Sequence, residues 1–345
     1  MHKPPQSGNE QEQVVGLSKK LFRLSLRLTV TIILLVLIFR KIGWEALSNP
    51  IRTAQWEFLI GACAIELLSS WLNAIKLRSL LGKLGCEIQT IKVFSASTIS
   101  SLYSMFLPGF LSTGAKWYLL KKDSGMGTAV LTGMLYNQLS VTVVMLMFGL
   151  IALIVSNPVT AISGDVTTRW LFSGSCIILL VVICTCTVLG LSRHVGGRFL
   201  NFLRLRLNWL PQRFHHRWHR FLDLIETFQQ VGWKFHLAIA LFTVVASVVC
   251  GAVKYRFAAE AVDIHVSVYV LMWLYTLIYT LSRIPITLAN LGVREITLIG
   301  LLHLYEVDQP HALLMSMILF STNIFMAIVG SLYLMFGSLS KQNAE

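Results

Sequence analysis

The chain has 345 residues, of which 55% are hydrophobic and only 13% are charged, and its mean hydropathy is +0.68. A soluble protein of this length could not keep so much apolar surface from water, so the composition predicts a polytopic membrane protein. The formal net charge of +13 does not indicate nucleic-acid binding. Its lysines and arginines cluster at the ends of apolar runs, where cytoplasmic loops and anionic lipid headgroups account for them.

The lengths of the apolar runs predict where the chain crosses the membrane. Residues 1–18 are polar and are predicted to form a disordered cytoplasmic tail before a single membrane domain, 19–345. A spanning helix needs about 20 predominantly apolar residues. Six segments meet this requirement, at 21–40, 56–76, 128–155, 169–191, 235–257 and 311–337. No signal-peptidase pattern follows the first segment, so we expect it to stay in the membrane as an anchor.

Two further apolar regions, 93–122 and 267–304, are interrupted near their middle. The interruptions begin at Pro108 and Pro285, and each also contains glycine. Proline removes a backbone donor and clashes with the preceding turn, so neither region is predicted to be one continuous helix.

A long basic segment, 192–234, joins the two halves of the predicted domain, 19–155 and 169–340. It carries eight Lys or Arg residues against two acidic residues, with aromatic side chains between them. This pattern is typical of an amphipathic helix in the cytoplasmic membrane interface. A histidine cluster between His215 and His219 could share a helix face, but the neighbouring arginines repel a cation. No metal site is therefore predicted.

The charges of the loops predict how the interrupted regions enter the membrane. The basic loop 76–92 and the basic segment 192–234 should both be cytoplasmic. Two full spans lie between 93–122 and the basic segment, so 93–122 must begin and end in the cytoplasm as a re-entrant hairpin. The acidic residues that flank 267–304 predict a second hairpin, which enters from the outside. Both termini are then cytoplasmic.

The two interrupted regions belong to an internal repeat. The segment Ala-Ile-Lys-Leu-Arg at 74–78 returns 178 positions later as Ala-Val-Lys-Tyr-Arg at 252–256. The same offset, with a one-residue slip for the prolines, pairs Ser104 with Ser282, Pro108 with Pro285, Gly114 with Gly292 and Lys116 with Arg294. Duplicated broken helices indicate a substrate site near the membrane midplane. The predicted fold is an all-α polytopic membrane protein with six full transmembrane helices and two re-entrant broken-helix hairpins in an inverted repeat.

The broken elements supply the candidate binding groups. Irregular backbone at membrane depth is tolerated only within protein or beside a water-filled cavity. A half-helix also presents unpaired N–H groups that suit an anion. A cation follows each predicted half-helix, Lys116 in the first copy and Arg294 in the second. Two such basic pockets, approached from opposite faces, favour an anionic lipid headgroup as the substrate.

Other ionisable residues in the spans leave alternatives open. Glu66 lies in the middle of a span, where it is a neutral hydrogen-bonded acid, a partner for Lys116 or a proton-coupling group. Arg294 and Glu295 are adjacent, so they are expected to point in different directions and need not pair. Arg283 either snorkels to the outer interface or lines the pocket. Polar residues within the spans are expected to form helix–helix hydrogen bonds, namely Asn137, Gln138 and Asn323.

The segments 107–120 and 284–295 resemble the two signature loops of the lysylphosphatidylglycerol synthetase transmembrane-region family, also called flippase-like integral membrane proteins. The string Leu-Gly-Val-Arg-Glu at 291–295 is the most specific part, and the resemblance covers 20–340. The first loop of this chain differs by having Ser-Thr-Gly at 112–114, where the family has more glycine and an acidic residue. Ala-Asn replaces paired glycines in the second loop.

The resemblance implies a prokaryotic inner-membrane protein related to the part of the synthetase that moves lipid between leaflets. Its positions, together with the repeat and the intramembrane acid, give the candidate substrate-binding residues Lys116, Arg294, Glu295, Pro108, Gly114, Pro285, Gly292 and Glu66. No aminoacyl-transfer domain follows in the sequence, so we expect no synthetase activity, no catalytic residues and no cofactor. The expected partners are anionic or polyprenyl-linked membrane lipids and envelope-biosynthesis proteins.

The predicted function is therefore translocation of an anionic or lipid-linked headgroup across the bacterial inner membrane, in support of cell-envelope lipid or glycan synthesis. Two alternatives stay open at this point. One is an integral membrane enzyme that acts on a lipid-linked substrate, although the sequence has no Asp-rich motif or nucleophilic triad. The other is a non-transporting scaffold of an envelope-synthesis complex that docks through the basic segment.

Overall fold

A computed structural model of the protein describes residues 51–107, 109–162, 165–191, 197, 229, 232–283 and 291–342. All regular secondary structure in these residues is helical. The predicted tail, the first predicted span, Pro108, Pro285 and nearly all of the basic segment lie outside the described residues.

The described helices follow the predicted order of spans and broken elements. They are α1 (Trp56–Lys83), α2 (Thr90–Phe106), α3 (Gly109–Ser124), α4 (Gly127–Ser156), α5 (Val159–Ile162), α6 (Val166–Leu191), α7 (Trp233–Glu260), α8 (Val268–Leu281), α9 (Val293–Leu302) and α10 (Gln309–Gln342). Among them, α1, α4, α6, α7 and α10 are long and apolar enough to cross a membrane. The prediction of an all-α polytopic membrane fold is confirmed.

The first interrupted region is a helical hairpin. Helix α2 ends just before Pro108, α3 begins just after it, and the two helices pack against each other. The Ser100 hydroxyl donates to the Ser112 carbonyl oxygen at 2.8 Å. At the base of the hairpin, the Cys86 and Met126 sulfurs lie 3.7 Å apart. The chain therefore leaves the hairpin beside the point where it entered. That it enters the membrane from the cytoplasmic face stays a prediction.

The second interrupted region is also split into two short helices, α8 and α9. Their inner faces share one buried cluster with the start of α10, which includes Leu274, Leu298 and Leu313. Gly292 precedes the first residue of α9 with φ of +87°, in the left-handed region that side chains with a Cβ rarely adopt. The glycine therefore allows the sharp entry into α9.

Helices α1 and α7, which are equivalents in the repeat, lie antiparallel to each other. The Gln55 N–H donates to the Ala261 carbonyl at one end of the pair, and the Lys76 ammonium donates to the Thr243 hydroxyl toward the other. Near the middle, the Ser69 hydroxyl donates to the carbonyl of Ala246 at 2.6 Å. Ala246 lies in a π-helical stretch of α7, Val244–Val249, and such stretches are frequent at functional sites.

The remaining contacts between the halves are reciprocal. Helix α2 packs on α10 of the second half, and α8 packs on α4 of the first half. Gly330 of α10 lies against the backbone of Thr98, and Gly149 of α4 lies against the side chain of Thr276. The two threonines are 178 positions apart, the offset of the repeat. The inverted repeat and its orientation across the membrane both stay predictions.

Helix α6 is peripheral to this arrangement. It packs mainly on α4, and most of its apolar side chains are exposed, including Trp170, Leu171, Ile178 and Val188. An apolar outer surface of this kind suits contact with lipid tails.

Candidate functional site

A cavity of about 900 Å³ lies between the two halves. Helices α1, α2, α3 and α4 of the first half and α7, α8, α9 and α10 of the second half all contribute side chains to its wall. Many of these side chains carry a hydroxyl or an amide, and they belong to Ser69, Ser70, Asn73, Ser97, Ser101, Ser104, Ser112, Thr113, Asn137, Gln138, Ser247, Ser282 and Asn323. A polar cavity inside an apolar helix bundle is suited to a hydrophilic group rather than to a lipid tail.

The charged groups on the cavity wall are mostly cationic. Lys116, Lys254, Arg283 and Arg294 line it, together with the carboxylate of Glu66. Both predicted cations, one from each broken element, therefore face the same space. Of the two positions considered for Arg283, the outer interface and the pocket, the structure shows the pocket. Arg283 lines the cavity, and its guanidinium carbon lies 4.3 Å from the centre of the Tyr279 ring.

Lys116 lies on α3, and the hairpin that carries it is held at two points. The α2–α3 hydrogen bond from Ser100 fixes the turn before it, and the Trp117 indole N–H donates to the Gly127 carbonyl at 2.8 Å on the far side. Lys116 itself forms no hydrogen bond or ion pair with any residue that the structure describes. Its ammonium group is therefore available to a ligand.

Arg294 belongs to a buried network at the start of α9. Its Nη2 donates to Glu295 Oε1 at 2.5 Å, and its Nε donates to the Ser316 hydroxyl at 2.8 Å. Ser316 in turn donates to Glu295 Oε1 at 3.0 Å. The second carboxylate oxygen of Glu295 accepts from the Gly292 N–H at 2.6 Å. Both carboxylate oxygens of Glu295 and the Nε and Nη2 of Arg294 are paired, and hydrogen bonding of this kind is the condition under which a buried ion pair is stable.

The prediction that Arg294 and Glu295 need not pair was therefore wrong. Successive helical residues do point in different directions, but side chains in a helix tilt toward its N-terminus. Glu295 bends back to cap Gly292, three residues earlier, in the manner of a helix N-cap. This brings its carboxylate within reach of the long Arg294 side chain.

Glu66 pairs with Lys254 across the antiparallel helices α1 and α7. The Lys254 ammonium donates to Glu66 Oε2 at 2.7 Å, and the two side chains are 14% and 21% exposed. The same ammonium lies 5.9 Å from the centre of the Tyr275 ring. Of the alternatives left open for Glu66, the pair with Lys116 is therefore not formed. Antiparallel register, rather than distance along the sequence, determines the partner.

A family model described as the lysylphosphatidylglycerol synthase TM region matches residues 24–330. The chain belongs to this family. The match spans both broken elements, both halves of the cavity wall and the basic segment. Comparison with curated proteins and with solved structures gives no match.

The other predicted residues of this lysylphosphatidylglycerol synthase TM region are distributed unevenly around the cavity. Gly292 and Glu295 lie just behind the wall and support Arg294. Gly114 is exposed, a Cβ added there would meet open space, and the residue does not line the cavity. The two prolines, at 108 and 285, fall outside the described residues.

The polar residues predicted within spans serve both helix packing and the cavity. Gln138 of α4 donates to the Tyr279 hydroxyl of α8 at 3.1 Å, as expected for helix–helix hydrogen bonding. Asn137 and Asn323 line the cavity. The Asn137 Oδ1 atom is buried and has no hydrogen-bond partner among the described residues, so it can accept a hydrogen bond from a ligand.

Sequence reasoning missed several residues of the site. Ser97, Ser101 and Ser104 form a polar stripe along α2 at the spacing of one helix face, a signal that was available in the sequence. Tyr275 and Tyr279 on α8 have the same spacing, but aromatic residues at this period are ordinary in apolar helices and indicate no site by themselves.

Proposed function

We propose that the protein moves the anionic headgroup of a lipid between the leaflets of the membrane. The observation that carries this proposal is the cavity between the two halves, whose wall is polar and whose charge is positive. Its volume of about 900 Å³ is of the size that binds a small organic group. The exposed apolar faces of helices such as α6 would leave lipid tails outside while the headgroup is held inside.

The charge of the wall favours an anion over a cation or a neutral sugar. Lys254 is neutralised by Glu66, and Arg294 is neutralised by Glu295. Lys116 and Arg283 have no ion-pair partner in the described part of the chain. A cavity with two uncompensated cations in a medium of low dielectric constant attracts a negatively charged group strongly.

The reciprocal packing of the halves supports movement of the headgroup rather than simple storage. A site at the interface of two inverted repeats can open to one leaflet or to the other when the halves rock against each other. In this proposal α2 and α3 close the cavity on the cytoplasmic side and α8 and α9 close it on the outer side. The proposed location is the bacterial inner membrane, with both termini in the cytoplasm. The proposal assigns no chemical reaction to this chain.

Leaflet exchange in proteoliposomes tests the function. The purified protein is reconstituted with labelled anionic lipids, and the rate at which label reaches the opposite leaflet is measured. We expect Lys116→Ala and Arg294→Ala to reduce the protein-dependent rate by about tenfold or more, because each removes a full charge from the wall. Lys122→Ala is the matched control, since Lys122 is exposed at the end of α3 and does not line the cavity.

Two results bear directly on the proposal. Exchange that depends on the wild-type protein and falls in both cavity variants but not in the control supports it. If both cavity variants, still folded by size-exclusion chromatography, exchange every candidate lipid at the wild-type rate, the proposed mechanism is wrong.

A further inference from the structure

The four lysines and arginines that the repeat makes equivalent are not equivalent in charge. The offset of 178 pairs Lys76 with Lys254 and Lys116 with Arg294. In the second half, Lys254 is paired with Glu66 at 2.7 Å, and Arg294 is paired with a carboxylate at 2.5 Å. In the first half, neither lysine forms an ion pair with any described residue.

Lys76 shows the asymmetry most clearly. It is only 1% exposed, and its ammonium donates to a neutral partner, the Thr243 hydroxyl, at 3.1 Å. Lys116 is close enough to repel it. A buried ammonium without a counter-ion is costly, and ionisable groups at membrane depth are functional by default. Of the four cations that the repeat relates, the two without a carboxylate partner in the described part of the chain are therefore both in the first half.

The sequence explains why the first half has no counter-ion. Glu66 faces Lys254 across the α1–α7 pair, and the position related to Glu66 by the repeat is Val244, which is next to the residue that Lys76 contacts. The position related to Glu295 is Trp117. Both copies therefore hold the cations, but the two carboxylates, Glu66 of the first copy and Glu295 of the second, both pair with cations of the second copy. Neither carboxylate has an acidic equivalent in the repeat.

We propose that a single phosphate-type anion binds in the first half of the cavity, at Lys116 and next to Lys76. The carboxylates of Glu66, which reaches across from α1, and of Glu295 neutralise the equivalent cations of the second half and act as internal substitutes for that anion. The cavity then binds one phosphate group and not two. This inference rests on the proposed function only in taking the cavity as the ligand site.

The chemistry of the surroundings fits a phosphate group. The first half contributes mostly neutral hydroxyl and amide side chains to the wall that also carries Lys116, among them Ser101, Thr113 and Asn73. Glu66, which is paired with Lys254, is the only carboxylate on the wall among the described residues, so no unpaired carboxylate there repels an anion. Hydroxyl and amide groups donate hydrogen bonds to phosphate oxygens, while lysine supplies the compensating charge.

Adding a carboxylate at the position expected to face the first-half lysine Lys76 tests the inference. The full chain is purified in detergent and titrated in parallel with inorganic phosphate and with short-chain phosphatidylglycerol, and affinity and stoichiometry are measured by calorimetry. Val244→Glu puts a carboxylate at the repeat equivalent of Glu66, where it is expected to pair with Lys76 as Glu66 pairs with Lys254, and should weaken binding about tenfold or more. Val244→Gln has nearly the same shape without the charge, and it should bind as the wild type does.

The reverse change removes the carboxylate that neutralises a cation of the second half. Glu66→Gln leaves Lys254 without its counter-ion, so this variant should bind a second equivalent of the anion. Lys116→Gln should lose the single wild-type site, and it serves as the reference if Val244→Glu does not fold. Binding of the lipid alone identifies a headgroup as the source of the phosphate, and equal binding of inorganic phosphate identifies a free anion.

Several results would overturn the inference. The inference fails if the wild type binds two equivalents, or if Val244→Glu or Lys116→Gln binds with wild-type affinity. It also fails if Glu66→Gln binds no second equivalent, or if neither probe binds. The proposed function fails separately: one-sided binding without leaflet exchange would disprove lipid movement and leave the inference standing. Leaflet exchange together with symmetric two-site binding would support lipid movement and overturn the one-site inference.

Discussion

The two halves of the molecule share a backbone plan but differ in how they treat their cations. In the second half, Lys254 and Arg294 each pair with a carboxylate of the chain. In the first half, Lys76 and Lys116 have no such partner among the described residues. The repeat accounts for the helices and for the positions of the positive charges. The departures from the repeat determine where positive charge is left available.

This difference shows that structural and electrostatic symmetry are separate properties of a duplicated fold. Packing of α2 on α10 and of α8 on α4 needs only matching surfaces, and both copies provide them. Neutralising a buried cation needs a carboxylate in register, and a single substitution creates or removes it. We therefore expect the ion pairs of Lys254 and Arg294 to stabilise the second half. The lysines without a carboxylate partner should lower the stability of the first half.

The largest expected effect comes from breaking the paired half at Glu295. Glu295→Ala leaves the buried Arg294 guanidinium without its carboxylate and the Gly292 N–H without its acceptor. Loss of one partner of a buried ion pair costs about 3–5 kcal/mol of unfolding free energy. Thermal unfolding in detergent, followed by circular dichroism, measures it. Glu87→Ala, at an exposed loop residue, is the control and should unfold as the wild type does.

A wild-type unfolding temperature in Glu295→Ala would mean that the network does not stabilise the second half. The contrast between the halves would then have no energetic basis.

A smaller effect is expected from the two glycines that mediate the reciprocal packing. A Cβ at Gly330 would collide with the Thr98 backbone, which cannot rotate away, whereas a Cβ at Gly149 would meet the Thr276 side chain. Overpacking of this kind costs about 1–3 kcal/mol. We expect Gly330→Ala to lose unfolding free energy in this range and Gly149→Ala to lose less.

Gly174→Ala on α6 is the control for this pair, because a Cβ at that position has open space around it. Alanine favours a helix by about 1 kcal/mol relative to glycine, so the control should be unchanged or more stable. Equal losses of unfolding free energy in Gly330→Ala and Gly149→Ala would contradict this expectation. They would mean that a backbone contact and a side-chain contact accommodate the added Cβ equally well.

Much of the fold could be predicted because it depends on local composition. Apolar length predicted the described spans, and proline predicted the break between α2 and α3. The repeat offset placed Lys116 and Arg294 on opposite elements, and the structure brings both to one cavity.

The ion pairs could not be predicted, because they depend on the register between helices that are distant in sequence. Glu66 and Lys254 are 188 positions apart, and no pattern near either residue reveals that α1 and α7 meet in this register. The span predicted at 235–257 places Lys254 close to its end. Helix α7 instead continues to Glu260, so the lysine lies inside the helix and faces the cavity.

The smallest of the three stability effects compares the equivalent lysines directly. Lys254→Met leaves the Glu66 carboxylate without its partner and should cost about 1–2 kcal/mol of unfolding free energy, because an unsatisfied charged group keeps its desolvation penalty. Lys76→Met removes an ammonium that has only a hydroxyl partner. Its unfolding free energy should be unchanged or should rise by about 1 kcal/mol. Thermal unfolding in detergent without added phosphate or lipid compares the two.

Both variants replace a lysine with the same apolar residue at equivalent positions of the repeat, so the signs of their changes in unfolding free energy can be compared directly. Opposite signs mean that the first half gives up stability to keep Lys76 charged, as a binding site does. If Lys76→Met is destabilised as much as Lys254→Met, Lys76 has an effective partner in the folded protein. The charge difference between the halves would then be removed, and the one-sided anion site would be removed with it.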